Sequence, residues 1–344
     1  MASAAEEAAN VQDAFIITRL IKQCLSLSKI QLLFFLMLVL FFPPMIPFFR
    51  EFDSVVQMRK ANNPDYPWPR YQDLTIALYT AVFIYLLKGI LAKPLKSIMM
   101  TTILQDKFVG KEREERAERS ALFAFKGMYY LFAVLMGYFV AKDAHFFPPG
   151  LGGSGSIATM FDNFPYQPFD TFPYIRVYVL IELGYHLFSL VNHLASTPKS
   201  DFMEMLLHHC ITLFLVGIAY FMNYVTVSHL VLFTHDCSDL FVDTTRVLAD
   251  SKYSKLLVVS GALLLLSWSY MRLYLFPVYL IPGGYWYNPV AHEIYGRHLM
   301  GWMLHALFVL NFYWFILIIK MVLRQVIKHG DIDVDHRFHT KKTS

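Results

Sequence analysis

Two adjacent histidines, His208 and His209, lie in an apolar stretch that turns near Asn223 into a second apolar stretch carrying His235, Asp236 and Asp239. A carboxylate beside an imidazole fixes the ring's tautomer and stabilises its protonated form. Histidine in that setting serves as a general base or nucleophile near neutral pH. Asp236 and Asp239 are three residues apart and share one face of a helix. Thr212 and His229 complete the polar set in these two stretches. Ionisable groups in so apolar a setting are costly and need a reason to be there. The plain alternative is that they satisfy one another and pin two helices together. Two histidines facing two carboxylates at one depth favour a reaction centre, whereas His229 alone reads as structural. Glu182 and His186, an i,i+4 pair, read as structural in the same way, with support of the centre as their second reading, and Arg272 needs a counter-ion, for which one of the acids is a candidate. His305 and Asn311 have no assigned partner at this stage.

The elements that position these groups are apolar segments long enough to cross a bilayer, which takes about 20 residues as a helix. Eight are present: Ile30–Phe49, Leu74–Leu91, Ala121–Ala141, Tyr174–Ala195, Phe202–Tyr224, Thr226–Leu248, Leu256–Leu280 and Leu299–Val326. The prolines of FFPPMIPFF are expected to kink or stop the first. The fifth and sixth must be antiparallel, because only a tight turn at Asn223–Val225 joins them. Counting back from that turn at a uniform helical rise sets His208 and His209 level with Asp239 to Phe241. Thr212 falls near Cys237, and His235 and Asp236 lie about one turn deeper. A direct contact between the histidine pair and Asp239 is therefore expected.

The whole chain carries the same signature. Of 344 residues, 56% are hydrophobic and only 16% charged, against roughly a quarter charged in soluble domains. The fold class expected is an all-α polytopic membrane protein. A net charge of +4 is too modest for a nucleic-acid footprint, so no nucleic-acid partner is expected. Cys24, Cys210 and Cys237 match no zinc or disulfide spacing and read as small buried apolar residues. No N-x-[ST] sequon occurs, and the polar N-terminus does not resemble a cleavable signal. Basic residues cluster after the second, fourth, sixth and eighth spans: Lys93 to Arg119, then Lys199, then Arg246, Lys252 and Lys255, then Lys320, Arg324 and Lys328. By the positive-inside rule these connections and both termini face the cytosol. The ending Lys341-Lys342-Thr343-Ser344 then resembles a di-lysine retrieval signal, pointing to the endoplasmic reticulum. The charged stretch KEREERAERS reads as a solvated helical lead-in to the third span.

The stretch SDFMEMLLHHCITLFLVGIAYFMNYVTVSHLVLFTHDCSDLF resembles the Lag1 motif of the ceramide synthases, which are TLC-domain proteins. The residues that match are Asp201, Phe202, Glu204, His208, His209, Thr212, Tyr220, Asn223, His235, Asp236 and Asp239. Flanking segments ERSALFAFKGMYY, WSYMRLYLFPVYL and FVLNFYWFILIIKMV are similar too, so the likeness runs from about Glu118 to Val322. Thr226 and Ser228 depart from the basic residue and glycine usual after the turn. The segment between the second and third spans is too short for the homeobox-like domain of some animal members.

The resemblance implies a barrel made of the third to eighth helices and N-acylation of a sphingoid base by a fatty acyl-CoA. The catalytic residues implied are His208, His209, Asp236 and Asp239, with His235, Thr212, Tyr220 and Arg272 in support. One histidine, His208 first, accepts the acyl group or deprotonates the amine, with Asp239 orienting it. No metal or cofactor is implied; acyl-CoA is a substrate, and the partners are acyl-CoA, a sphingoid base and membrane lipids. A homo- or hetero-dimer or a small accessory subunit stays open. The loop at about Pro282–His298 is implicated in chain-length choice. The expected organisation is a cytosolic segment (1–29), two spans with a basic linker (30–117), a TLC domain (118–328, motif 201–243) and a cytosolic tail (329–344). Two other classes fit less well. A di-iron hydroxylase needs HxxxH and HxxHH clusters, and a proton-relay transporter predicts inverted repeats. A non-catalytic TLC protein acting in translocation or lipid sensing is the nearer alternative.

Overall fold

A chain crossing hydrocarbon must satisfy every backbone N–H and C=O internally, and a helix does so within one segment. The apolar segments accordingly form helices in a computed structural model that describes residues 29–196, 201–285 and 296–327. Cys24, Lys199, Lys328, the di-lysine ending and most of the 282–298 loop lie outside the described residues.

Among the described residues there are eight long helices and no strand: α1 (Lys29–Asn62), α2 (Leu74–Ile98), α3 (Gly110–Ala141), α4 (Ile175–Ala195), α5 (Phe202–Phe221), α6 (Val225–Ala249), α7 (Ser254–Trp268) and α8 (Arg297–Ile327). Six of these helical stretches, from α2, α3, α4, α5, α7 and α8, are long and apolar enough to cross a membrane. The helix α6, which carries the carboxylates, is not among them. α1 runs on past Pro43, Pro44 and Pro47 to Asn62, so the prolines do not stop it. Aromatic packing on α5 holds the later turns in line: Phe49 lies 6.0 Å from Phe214 and Phe52 lies 6.2 Å from Phe221, ring to ring. The charged lead-in and the third span form one helix, α3.

Neighbouring helices close a ring in the order α3, α4, α5, α8, α7, α6 and back to α3. α2 packs outside against α4 and α3, and α1 outside against α5. The hairpin partners α5 and α6 touch each other and share α4, but α5 also packs on α8 whereas α6 packs on α3 and α7. α7 continues as π-helical turns through Ser269–Leu280, a run that includes Pro277 and surrounds Arg272. A wider helix of this kind follows naturally where a proline removes a backbone donor.

The two ends of the barrel are tied differently. At one end the basic α2–α3 and α6–α7 connections meet: Gln105 N donates to Asp250 O at 3.1 Å and Arg116 pairs with Asp250 at 2.6 Å. At the other end the α1–α2 connection and the long 142–174 loop converge on the α5–α6 turn. Asn223 has φ 65°, and its side chain donates to Tyr66 Oη at 2.8 Å and Pro165 O at 2.5 Å. Asparagine is one of the few non-glycine residues that tolerate this left-handed conformation. Thr226, one of the departures from the Lag1 pattern, donates to Met160 O at 2.6 Å and so secures the same loop.

Two glycines set the closest helix approaches. A Cβ at Gly137 would meet the Phe233 ring at 3.0 Å, where α3 and α6 touch. At Gly184 a Cβ would run into the Ala77 carbonyl and Thr80 Cβ (2.7 Å), pressing α4 off α2. Gly184→Ala is expected to cost about 1–3 kcal/mol through overpacking. A lower unfolding temperature of the purified protein in detergent measures this, with Gly217→Ala, where a Cβ meets nothing, as the neutral control.

Candidate active site

Arg272 is 2% exposed in the middle of the barrel, and every nitrogen of its guanidinium is used. Nη2 pairs with Asp239 Oδ2 at 2.7 Å and donates to His235 O at 3.0 Å. Nε donates to Ser238 Oγ at 2.6 Å, Nη1 donates to Asn311 Oδ1 at 3.1 Å, and the Trp268 ring lies 4.1 Å beneath. The counter-ion expected for Arg272 is thus Asp239. Burying a guanidinium is tolerable only with this degree of pairing. Asn311 extends the network to His235: its Nδ2 lies 3.1 Å from His235 Nε2, while His235 Nδ1 lies 2.7 Å from Val231 O. The carbonyl only accepts, so Nδ1 carries the proton, Nε2 accepts from Asn311, and the ring is held in one tautomer.

Beside this network lies a cavity of about 130 Å³ lined by all six helices of the ring. His208 and His209 of α5 line it with Asp239 of α6, Arg272 of α7, Trp314 of α8, His186 of α4 and Lys126 of α3. Nδ1 of His208 and of His209 is buried with no hydrogen-bond partner, so each ring keeps a nitrogen uncommitted. Trp314 stands edge-on to His208 at 5.4 Å between centroids, and His193 lies 5.4 Å from His209.

The structure therefore gathers the histidine pair and Asp239 around one chamber, but not in direct contact. Asp239 turns to Arg272, and among the described residues no His–Asp ion pair appears. The cause is Arg272: it holds the Asp239 carboxylate toward α7 and so away from the histidines of α5, on the far side of the cavity they share. Asp236 is buried and accepts from Tyr178 Oη at 3.2 Å. Thr212 is buried with its hydroxyl unpartnered. Tyr220 does not join the cluster: its hydroxyl donates to Asp73 Oδ2 at 2.8 Å, at the far end of the barrel. Glu182 is buried and accepts from Tyr129 Oη at 2.9 Å. His229 Nε2 bonds Gly137 O at 2.8 Å inside an aromatic box, which fits its structural reading. His305 Nδ1 bonds Gly301 O at 2.7 Å on its own helix.

A second cavity of about 70 Å³, almost wholly apolar, lies along other stretches of α5, α6 and α8. It is lined by Leu215, Val216 and Ala219 of α5, Val227 to Leu232 of α6, and Met300 to Leu304 of α8. Thr212, His235 and Asn311 occupy the level between the two cavities on their respective helices. The polar chamber reaches the basic end of the barrel, where Lys126, Arg246 and Asp201 line it. A polar and an apolar cavity thus follow one another along α5, α6 and α8, an order that matches the two ends of an amphiphile. Among the described residues, no three His, Cys, Asp or Glu side chains converge in a way that could hold a metal ion.

Sequence reasoning missed Asn311 as the link between Arg272 and His235, Trp314 beside His208, Tyr178 on Asp236, and Lys126 at the mouth. The only signal for Asn311 was its polarity in an otherwise apolar helix.

Comparison with known proteins adds a family pattern and several relatives. The TLC domain (TRAM_LAG1_CLN8) matches residues 123–320, more than half of the chain. The ceramide synthase hyl-2 of Caenorhabditis elegans is 25% identical over 293 residues, covering 80% of this chain and 85% of that one. The ceramide synthase LOH2 of Arabidopsis thaliana is 28% identical over 170 residues, 47% of this chain and 57% of the relative. Ceramide synthase 1 LOH3 of the same plant is 24% identical over 291 residues, 78% and 91% of the two chains.

Removing one partner of a buried ion pair costs about 3–5 kcal/mol. Since the Asp239 side chain is 27% exposed, Asp239→Asn and Arg272→Gln are expected at the lower end of that range. The double variant should be less damaged than the sum of the two, because no uncompensated charge is left. Unfolding temperatures of the four proteins in detergent close this cycle.

Proposed function

The chain belongs to the TLC-domain family, and from that premise we propose that it is a ceramide synthase. It transfers a fatty acyl group from acyl-CoA to the amine of a sphingoid base. The observation that carries this reading is the shared chamber: two imidazoles with uncommitted nitrogens, a carboxylate on the facing helix, and an apolar cavity farther along α5, α6 and α8.

The reaction breaks the thioester C–S bond and forms an amide, with the amine's proton leaving to a base and the thiolate of CoA departing. His208 is the first candidate for that work. Its free nitrogen either attacks the thioester carbonyl, giving an acyl-imidazole that the amine then resolves, or takes the proton from the attacking amine. His209 is the second candidate at the same chamber. Asp239 supplies negative charge on the chamber wall, where an ammonium or imidazolium forms, and Arg272 holds that carboxylate in place. Asp236, bonded to Tyr178 and outside the chamber lining, packs behind Asp239 on the same helix, and His235 stays fixed by Asn311 as a neutral positioning group. Thr212 lies at the level between the two cavities. Acyl-CoA needs no further cofactor for this exchange.

The acyl tail lies in the apolar half, and the CoA phosphates stay at the basic mouth near Lys126 and Arg246. That end faces the cytosol on our reading of the basic connections, with both termini on the same side and the protein in the endoplasmic-reticulum membrane. The apolar lining residues Val231, Leu215 and Leu304 bound the space open to the tail.

The test is an acyltransferase assay in membranes of cells lacking their own ceramide synthases. Wild type supplied with sphinganine and acyl-CoAs of several lengths should yield ceramide, read by mass spectrometry. His208→Ala at equal abundance should lose about 100-fold or more of the rate. A folded, correctly located wild type that makes no ceramide, alone or with a co-expressed accessory subunit, would overturn the reading in favour of a non-catalytic TLC protein.

A further inference from the structure

At the end of the barrel away from the basic connections, an open cavity of about 730 Å³ lies between the α1–α2 connection and the first turns of α4. It shares no lining residue with the histidine chamber. Its volume is within the roughly 300–1,000 Å³ usual for small-molecule sites.

The lining is amphiphilic and its charge is one-sided. Lys60, Arg70 and Arg176 face it, against a single carboxylate, Asp73. That carboxylate is already engaged, accepting from Tyr220 Oη at 2.8 Å and from Arg70 N at 2.8 Å. Arg176 donates to Pro67 O and to Asn223 Oδ1 (3.1 Å), yet its Nε is buried with no partner. Phe169 lies 3.8 Å from the guanidinium and holds its plane. Lys60 makes no ion pair among the described residues, and Arg70 reaches Asp73 only at 3.7 Å with its side chain 74% exposed. Two cationic donors, Lys60 and Arg70, are thus available in one concave site, and the Arg176 guanidinium adds its charge beside them. Guanidinium and ammonium groups in such a setting recognise phosphate oxygens.

The other walls say what kind of molecule carries that phosphate. Tyr66 and Trp68 pack edge-to-face at 4.8 Å, as aromatic side chains do at headgroup depth. Below them Ile76, Val177 and Leu180 give an apolar floor, and Ile76 opens onto the lipid-facing side of α2. We propose that this cavity binds the phosphate of a glycerophospholipid from the adjoining leaflet. The headgroup sits among Lys60, Arg70 and Arg176, and the tails leave past Ile76 into the bilayer. The bound lipid bridges the α1–α2 connection to the barrel at the point where Asn223, Tyr220 and Arg176 already clasp it. The proposal does not depend on acyl transfer.

Native mass spectrometry of the purified full-length protein in detergent, titrated with phosphatidic acid, tests it. Wild type should carry one tightly held phosphatidic acid. Lys60→Gln/Arg70→Gln, with its unfolding temperature unchanged, loses two charge-assisted contacts and should bind it more than tenfold more weakly, about tenfold being the effect of one such contact. Arg176→Gln should weaken it as well. Diacylglycerol, with the same tails and no phosphate, should not bind at this site. Equal affinity in wild type and the double variant, or equal binding of diacylglycerol, would overturn the proposal. Displacement of the lipid by millimolar inorganic phosphate would overturn the lipid as the source of the phosphate.

Discussion

A guanidinium buried in the middle of a membrane barrel is the constraint around which the rest arranges itself. Arg272 cannot be left unpaired at that depth, so α6 supplies Asp239, Ser238 and the His235 carbonyl, and α8 supplies Asn311. These bonds draw three helices together on one side of the barrel. They also draw Asp239 away from the histidines on α5. What remains between is a chamber whose polar groups are partly satisfied by each other and partly left facing the space. Buried unpartnered nitrogens occur at structural sites too, His229 Nδ1 among them; what sets His208 and His209 apart is that theirs belong to rings lining a cavity, which is what a reaction centre requires.

The two ends of the barrel carry different loads. At the basic end, ion pairs join the connections while leaving Lys126 and Arg246 at the mouth of the chamber. At the opposite end, Asn223 and Tyr220 hold the two outer helices and the long loop against the barrel. Tyr220 and Asn223 belong to the same sequence motif as the histidines, yet serve this clasp rather than the chamber. A motif contiguous in sequence is thus divided by the hairpin between chemistry at one end and architecture at the other.

Much of this was legible from the residues. Each apolar segment became a helix, because hydrocarbon permits little else. The need of Arg272 for an acid followed from the cost of a lone buried charge, and Asp239 met it. The depth count was sound as well: His208, His209 and Asp239 do line one cavity. Lateral arrangement was not legible. Nothing in a helical period states which neighbours α5 and α6 choose, or that Arg272 of α7 holds Asp239 away from the histidines, and the expected His–Asp contact failed for that reason. Asn311, Trp314 and Tyr178 are single polar-tipped residues in apolar helices and leave no pattern. The π-helical run about Arg272 and the partnership of Tyr220 with Asp73, 147 residues away, are likewise products of packing.

Acyl transfer at the histidine chamber requires that the apolar cavity between α5, α6 and α8 receive the acyl chain. The most direct measurement is photolabelling of the purified protein with an acyl-CoA carrying a diazirine in its tail, followed by peptide mapping. The account predicts label on the stretches of α5, α6 and α8 that line the apolar cavity, displaced by unlabelled acyl-CoA. Label confined to the lipid-facing surface of α2, or undiminished by competitor, would contradict it.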